Sequence, residues 1–258
     1  MHFDLSGKSV FIAGSTGGIG RAVAEKLADM GADIVLNGRN AESAKEVMEK
    51  IKKKGVKVIF EKADIREYDE VKQAVGNALN KLGKIDILVA SGGASGKDFA
   101  PSFFHETDPG DYPIYAKAQW WSRLYCVKAL LNHMRERKTG KIIMLTTDAG
   151  RWPTPAESVV GGAGAAVAMA TKVLAQELAR WQIRVNAVST TIIENSISYE
   201  FVTDSSPSLA HVFTKAIEKQ PFPVTIDDVA NACAFFASSA SDGITGQILS
   251  VNGGLCFP

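Results

Sequence analysis

The chain has 258 residues, 46% of them hydrophobic, which is enough for a sizeable core and within the span one α/β domain covers. A formal net charge of +1 argues against a nucleic-acid partner, which would need a strongly basic face. Cys126, Cys233 and Cys256 are scattered and form no Cys-x-x-Cys or Cys/His cluster, which argues against a metal site or a disulfide framework and makes a soluble, cytoplasmic setting the default.

The start, "MHFDLSGKSV", lacks a signal-peptide layout, and no window reaches the uninterrupted apolar length of a membrane span. In chain order the pattern predicts a strand at Ser9–Gly14, a helix at Gly18–Gly31, a strand at Asp33–Gly38 and a charged helix at Glu42–Gly55. A strand at Lys57–Asp64, a helix at Tyr68–Gly83 and a strand at Ile85–Gly93 follow. A longer helix is expected from about Tyr115 to Lys138, then a strand at Lys141–Thr147 and a helix running through "VVGGAGAAVAMATK" to Arg180. Strands at Ile183–Ser189 and Gln247–Gly254 complete the set. Alternating strands and helices imply parallel strands with helices on both faces, and near-continuous apolar strands fit a sheet buried on both sides. Without a linker or repeat, residues 1–258 read as one doubly wound, Rossmann-type α/β domain.

"AGSTGGIGRA" follows the first strand and opens the first helix. Gly14 permits the tight turn, Gly18 lets backbone approach a pyrophosphate, and Gly20 lets helix and strand pack closely. Ser15, Thr16 and Ile19 belong to the same cradle, and Ala90 and Gly92 border it from the fourth strand. After the second strand the chain reads "LNGRN", with no carboxylate for a ribose 2′-hydroxyl. Arg39 suits a 2′-phosphate, so NADP is favoured over NAD, the alternative being a solvated loop cation. Asp64, with Ile65 beside it, is placed to cap the adenine, unless it is a turn Asp.

"GSTGGIG", "AD" at Ala63–Asp64, "IDILVASGG", "GKIIMLTT", "LAQELARWQIRVNAV" and "ITGQILSVNGG" together resemble the classical short-chain dehydrogenase/reductase family over nearly the whole chain. The resemblance implies a seven-stranded parallel Rossmann sheet, NAD(P) as cofactor, and dimers or tetramers built through the helices after the fourth and fifth strands. It also implies a catalytic Tyr, a Lys one turn later, a Ser and an Asn. Counting from Arg184 and from Thr147 leads to the same Tyr position, Val160, and hence to Gly164 for the Lys. Thr147 stands for the Ser and Gln119 for the Asn. Val160 offers no proton and Gly164 holds no ribose, so the usual acid–base help is missing there. The usual Asn-Asn-Ala-Gly reads Ala90-Ser91-Gly92-Gly93, and the usual Pro-Gly reads Thr190-Thr191.

"YDEVK", Tyr68–Lys72, matches Tyr-x-x-x-Lys only literally and reads as a solvated helix face. Tyr115, Lys117, His105 and Tyr199 lie near segments that border such a site and are candidates to support catalysis with Thr147. Asn195–Pro223 would be a substrate lid, its Tyr199, Phe201, Phe213 and Phe222 facing an apolar group and Lys215 and Lys219 meeting an acyl-CoA phosphate, although packing and solvation account for both. Trp120, Trp121 and Trp152 are expected to pack rather than read a substrate. The small residues after Val159 suit a close helix or subunit contact, a filled pocket, or drift after catalytic loss.

The leading expectation is a catalytically silent homologue, paired with an active family member in a hydroxyacyl or alcohol dehydrogenase complex. The alternatives are an active NAD(P)-dependent oxidoreductase with relocated acid–base groups, and a homomeric nucleotide-binding sensor; a nucleotide site left empty is a further alternative.

Overall fold

The computed structural model describes residues 3–93, 101–194 and 196–258. Seven parallel strands, β1 (Ser9–Ala13), β2 (Asp33–Gly38), β3 (Val58–Lys62), β4 (Ile87–Ala90), β5 (Gly140–Thr147), β6 (Ile183–Thr190) and β7 (Ile248–Val251), pair in the order β3-β2-β1-β4-β5-β6-β7. The chain leaves β3 at one edge and returns beside β1, so the order reverses between β1 and β4. In open α/β sheets ligands bind at such a switch point, outside the carboxyl ends of the strands.

Alternate residues of each strand serve opposite layers. Val10, Ile12, Ile34, Leu36, Val89, Ile143 and Val188 pack under α1 (Gly18–Asp29), α2 (Ala41–Lys52) and α9 (Ile226–Ala237). Phe11, Ala13, Val35, Leu88, Ile142, Met144, Val185 and Ala187 pack under α3 (Tyr68–Leu82), α5 (Ser122–Arg137) and α6 (Ser158–Leu178). A strand covered on both sides must be apolar throughout, which is the pattern read from the sequence.

Local chemistry sets the ends of the elements. The β4 ladder is shorter than Ile85–Gly93 because Ser91 turns its hydroxyl to the Ala13 carbonyl at 2.6 Å. Likewise β7 stops before Gly253 and Gly254, whose φ of +62° and +78° leave the extended region. The helix expected from Tyr115 to Lys138 begins earlier, as α4 (Asp111–Ala116). It passes through a π-helical segment at Lys117–Trp121 before α5. Such wide turns re-aim side chains and cluster at functional sites.

The sequence pattern left three helices unassigned: α7 (Ile197–Ser205), α8 (Pro207–Glu218) and α9. Asn195, the first residue of the expected lid, lies outside the described residues. Ser206 caps α8 with Pro207 in its first turn, and Thr225 and Asp228 form a capping box on α9.

The helical run Ser158–Trp181 is long and apolar enough to cross a membrane by length and composition, contrary to the sequence expectation. Its many alanines raise the mean hydropathy without bulk. In the fold one face of α6 packs on β5 and β6.

Asn37 ties the switch point together. Its amide nitrogen donates to the Glu61 and Ala63 carbonyls at 3.0 and 3.3 Å, and its Oδ1 accepts from the Gly14 N–H at 3.3 Å. The side chain is 1% exposed, so each bond lost leaves a buried group unpaired. Asn37→Ala is expected to lower unfolding free energy by about 2–4 kcal/mol, read by urea denaturation.

Candidate functional site

Two adjoining cavities open at the carboxyl ends of the strands. The first, about 390 Å³, is lined by Gly14, Thr16, Gly18, Ile19, Gly20, Arg39, Asp64, Ile65 and Gly92 from the expected cradle. Ser15 and Ala90 sit buried behind them, the Ser15 hydroxyl held by the Ile12 carbonyl at 2.8 Å. Gly14 has φ +68°, and a Cβ there would lie 2.3 Å from Gly92 Cα, so the turn and the strand end meet backbone to backbone. A Cβ on Gly20 would likewise lie 2.3 Å from the Gly14 carbonyl oxygen. At Gly18, φ +52°, nothing lies within 4 Å of the Cβ position. The N-terminus of α1 carries no side-chain cap, which leaves its first N–H groups for an anion. These features fit a dinucleotide pyrophosphate.

The adenine end differs from expectation. The Asp64 carboxylate is gripped by Arg66, whose Nε lies 2.9 and 3.0 Å from its two oxygens, and its pKa is lowered chiefly by that hydrogen bond. Arg39 adds to the lowering, so Arg39 and Arg66 both flank this end of the cleft. Sequence reasoning passed over Arg66, and the motif gives no signal for it.

The second cavity, about 380 Å³, shares Ile19, Ser91, Gly93, Thr190, Thr191 and Ile192 with the first. Thr147, Gln119, Val160 and Gly164 all line it, so the separate sequence counts converge on one place. Thr147 Oγ1 accepts from the Ala149 N–H at 3.3 Å. Gln119 lies in the π-helical segment, its side-chain oxygen 3.2 Å from Arg123 Nη2.

The small residues of α6 have an internal use. A Cβ on Gly164 would stand 2.7 Å from Thr147 Cγ2 and 3.3 Å from Gly150. Reciprocally, a Cβ on Gly150 would stand 2.4 Å from Gly164 C and Ala165 N. The turn after β5 therefore lies directly against the α6 backbone. Gly162, Ala165, Met169 and Val173 face outward on the other side of the helix.

Among the candidate supporting residues, only Tyr115 reaches this cavity; it is 6% exposed and hydrogen-bonded to Gln119. Burial, then the nearby Glu157 carboxylate, push its pKa up, so the phenol keeps its proton. Lys117 pairs with Glu67 at 2.7 Å, His105 sits on the surface beside Glu106, and Tyr199 is not among the lining residues. Phe201 and Phe213 line the cavity, whereas Phe222 is solvent-exposed. Lys215 pairs with Glu218 at 2.5 Å, and neither it nor Lys219 lines a described cavity. Trp152 borders the cavity rather than packing in a core, and Trp120 and Trp121 contact each other. Tyr68 of "YDEVK" packs on Tyr125, ring centroids 5.6 Å apart, rather than lying on a fully solvated face.

Sequence reasoning missed the polar groups that the fold brings to this wall. Arg123 is 5% exposed and donates to the Leu145 carbonyl at 2.7 Å and to the Gln119 carbonyl; burial lowers its pKa to about 10. Asp148 is fully engaged: Ser189, Ser250 and Arg151 reach Oδ1 at 2.6, 2.8 and 2.9 Å, and Asn252 reaches Oδ2 at 2.8 Å. Glu157 precedes α6 and lines the cavity, and no described side chain hydrogen-bonds its carboxylate. Burial pushes its pKa up to about 7.

That shift has a definite sign. The folded state holds the Glu157 proton between the ordinary carboxylate pKa and about 7, so stability falls as pH rises through that interval and levels off above it. Glu157→Gln is expected to match the parent near pH 4 and to exceed it by about 1–3 kcal/mol at pH 8, allowing for partial contact with solvent, in parallel denaturation curves.

A family model described as Enoyl-(Acyl carrier protein) reductase matches residues 13–256. The chain is 30% identical to the 3-oxoacyl-[acyl-carrier-protein] reductase FabG of Staphylococcus epidermidis, over 96% of this chain and 98% of that protein. It is 28% identical to glucose 1-dehydrogenase 2 of Bacillus subtilis, over 99% and 97%. A solved 7α-hydroxysteroid dehydrogenase, complexed with NADH and 7-oxo glycochenodeoxycholic acid, superposes with a TM-score of 0.88 at 27% identity, covering 98% of this chain and 96% of that one. The sheet order, the glycine turn and these matches together show that the chain belongs to the short-chain dehydrogenase/reductase family.

Proposed function

We propose that this protein is a single-domain, NADP-binding oxidoreductase homologue that has lost the family's Tyr–Lys proton relay and holds a small, largely apolar molecule beside the nucleotide. In this reading it is the degenerate subunit of a complex with another chain of the family. The observation that carries it is the Val160–Gly164 wall: the cavity is retained, yet α6 brings no proton donor to it, and at Gly164 even a Cβ would press on Thr147.

When bound, the nicotinamide supplies hydride chemistry, and the glycine turn and the start of α1 would hold its pyrophosphate. Arg39 and Arg66 favour a 2′-phosphate over a bare ribose hydroxyl by charge. The outward row Gly162, Ala165, Met169 and Val173 suits a second chain packed on α6, and free, buried cysteines suit a reducing cytoplasm. Lys215 is ion-paired and no lysine lines the cavity among the described residues, so the lid lysines lend the acyl-CoA alternative no support.

Tyr115 and Glu157 favour a second reading, an active enzyme with displaced acid–base groups, because both are proton-bearing and line the cavity. NADPH oxidation by the purified protein over a panel of ketones separates the two: sustained turnover of the lone chain overturns the degenerate subunit.

Calorimetric titration is expected to show tighter binding of NADP than of NAD. Arg39→Asp removes a charge-assisted contact of roughly 1.5–3 kcal/mol and so reduces that preference by about 10- to 100-fold. Gly164→Ala is expected to lower the melting temperature although alanine is the better helix former, since the added carbon meets Thr147 and Gly150. A gain in stability there would instead point to drift at an unconstrained position.

A further inference from the structure

The cavity beside the nucleotide cleft has an uneven charge inventory. Its wall carries the titratable groups Tyr115, Arg123, Asp148, Cys256 and Glu157. Arg123 is spent on the Leu145 and Gln119 carbonyls, and Asp148 on its ring of donors. Cys256 lies within that same ring, 3.9 Å from Asp148 Oδ2, and Tyr115 is bonded to Gln119. Glu157 alone among them has no hydrogen-bond partner among the described residues. Glu157 is half-buried on the cavity wall, and a carboxylate with no protein donor there is open to a ligand that brings it one.

A second, independent observation lies outside. A more open cavity of about 620 Å³ adjoins the first through Pro101, Tyr115, Val160 and Phe201. Glu106, Asp108, Asp111 and Asp204 line it, all solvent-exposed. Among the described residues no Lys or Arg lines this mouth, and His105 lies beside Glu106. The remaining wall of the inner cavity combines uncharged polar residues, among them Gln119, Thr147 and Thr190, with an apolar side formed by Trp152, Phe201 and Phe213.

We propose that this cavity takes a small cationic ligand, an amine on an apolar body, drawn in through the acidic mouth and held by an ion pair with Glu157. The assignment rests on the reading of the cavity as a ligand site beside the nucleotide, and adds the class of molecule it takes. The apolar body lies against Val160 and the lid aromatics. Four like charges at the mouth repel carboxylates and phosphates and raise the local concentration of cations, an effect that weakens with salt. The charge-assisted ion pair with Glu157 supplies the discrimination.

A matched series tests this: 3-phenylpropylamine, 3-phenylpropan-1-ol and 3-phenylpropanoate, titrated calorimetrically into the full-length protein with saturating NADP. The amine is expected to bind at least about tenfold tighter than the alcohol at pH 8, and the acid weakest. The ratio shrinks at pH 6, where Glu157 takes up its proton while the amine stays charged; Tyr115 and Cys256 are pushed away from that interval and Arg123 stays cationic. Glu157→Gln, shown folded by its melting curve, is expected to bind amine and alcohol alike and to lose the pH dependence, while Asp204→Asn lowers amine affinity only at low salt. Binding of the alcohol as tightly as the amine by the parent protein overturns the proposal and leaves the ligand cavity standing. Failure of all three compounds overturns both. Amine preference in protein that does not take up NADP sustains the proposal and removes the nucleotide from the proposed function.

Discussion

The fold turns on a contact with no side chains in it. Where the sheet order reverses, the backbone at Gly14 passes Gly92 so closely that a Cβ at position 14 would lie 2.3 Å from Gly92 Cα. This closeness brings the end of β4 up to the turn that opens α1, and so fixes where the cleft lies. Asn37 braces the turn from the next strand, binding Gly14 on one side and the β3 end on the other. Both cavities are built outward from that junction, sharing Ser91 and Gly93 along their border.

The two halves of the site obey different physics, and that decided how far each could be read in the sequence. The nucleotide half is made of backbone and a local glycine pattern, so "GSTGGIG" after an apolar run is enough to point to the residues that line the first cavity. The substrate half is made of side chains from distant segments. Val160, Gly164, Thr147 and Gln119 were found because spacing within long elements is conserved by geometry, and all face one cavity. Glu157, Arg123 and Asp148 were not found, because nothing local marks a charged residue as buried. Arg123 sits in a helix whose charged residues otherwise read as surface, and it turns inward to the carbonyls of Leu145 and of Gln119 in the π-helical segment before it. The sheet itself was legible because strands buried on both faces must be apolar throughout. The helices after β6 were not, although Thr225 and Asp228 carried a capping signal that was open to view.

Charge distribution separates the ends of the site as well. Arg39 and Arg66 make the adenine end basic, whereas the far mouth is ringed by Glu106, Asp108, Asp111 and Asp204. An elongated cleft with opposite signs at its ends orients whatever enters it. A dinucleotide and a second, oppositely charged molecule can then occupy adjoining spaces without competing for the same groups.

The packing of Gly150 on Gly164 bears on history as well as on shape. With the turn after β5 settled against the helix, any side chain at position 164 must first displace Thr147, whose Cγ2 would stand 2.7 Å from its first carbon. In the degenerate-subunit reading proposed above, this packing acts as a ratchet: it stands in the way of a lysine at position 164, so proton chemistry is more readily recruited from another wall of the cavity.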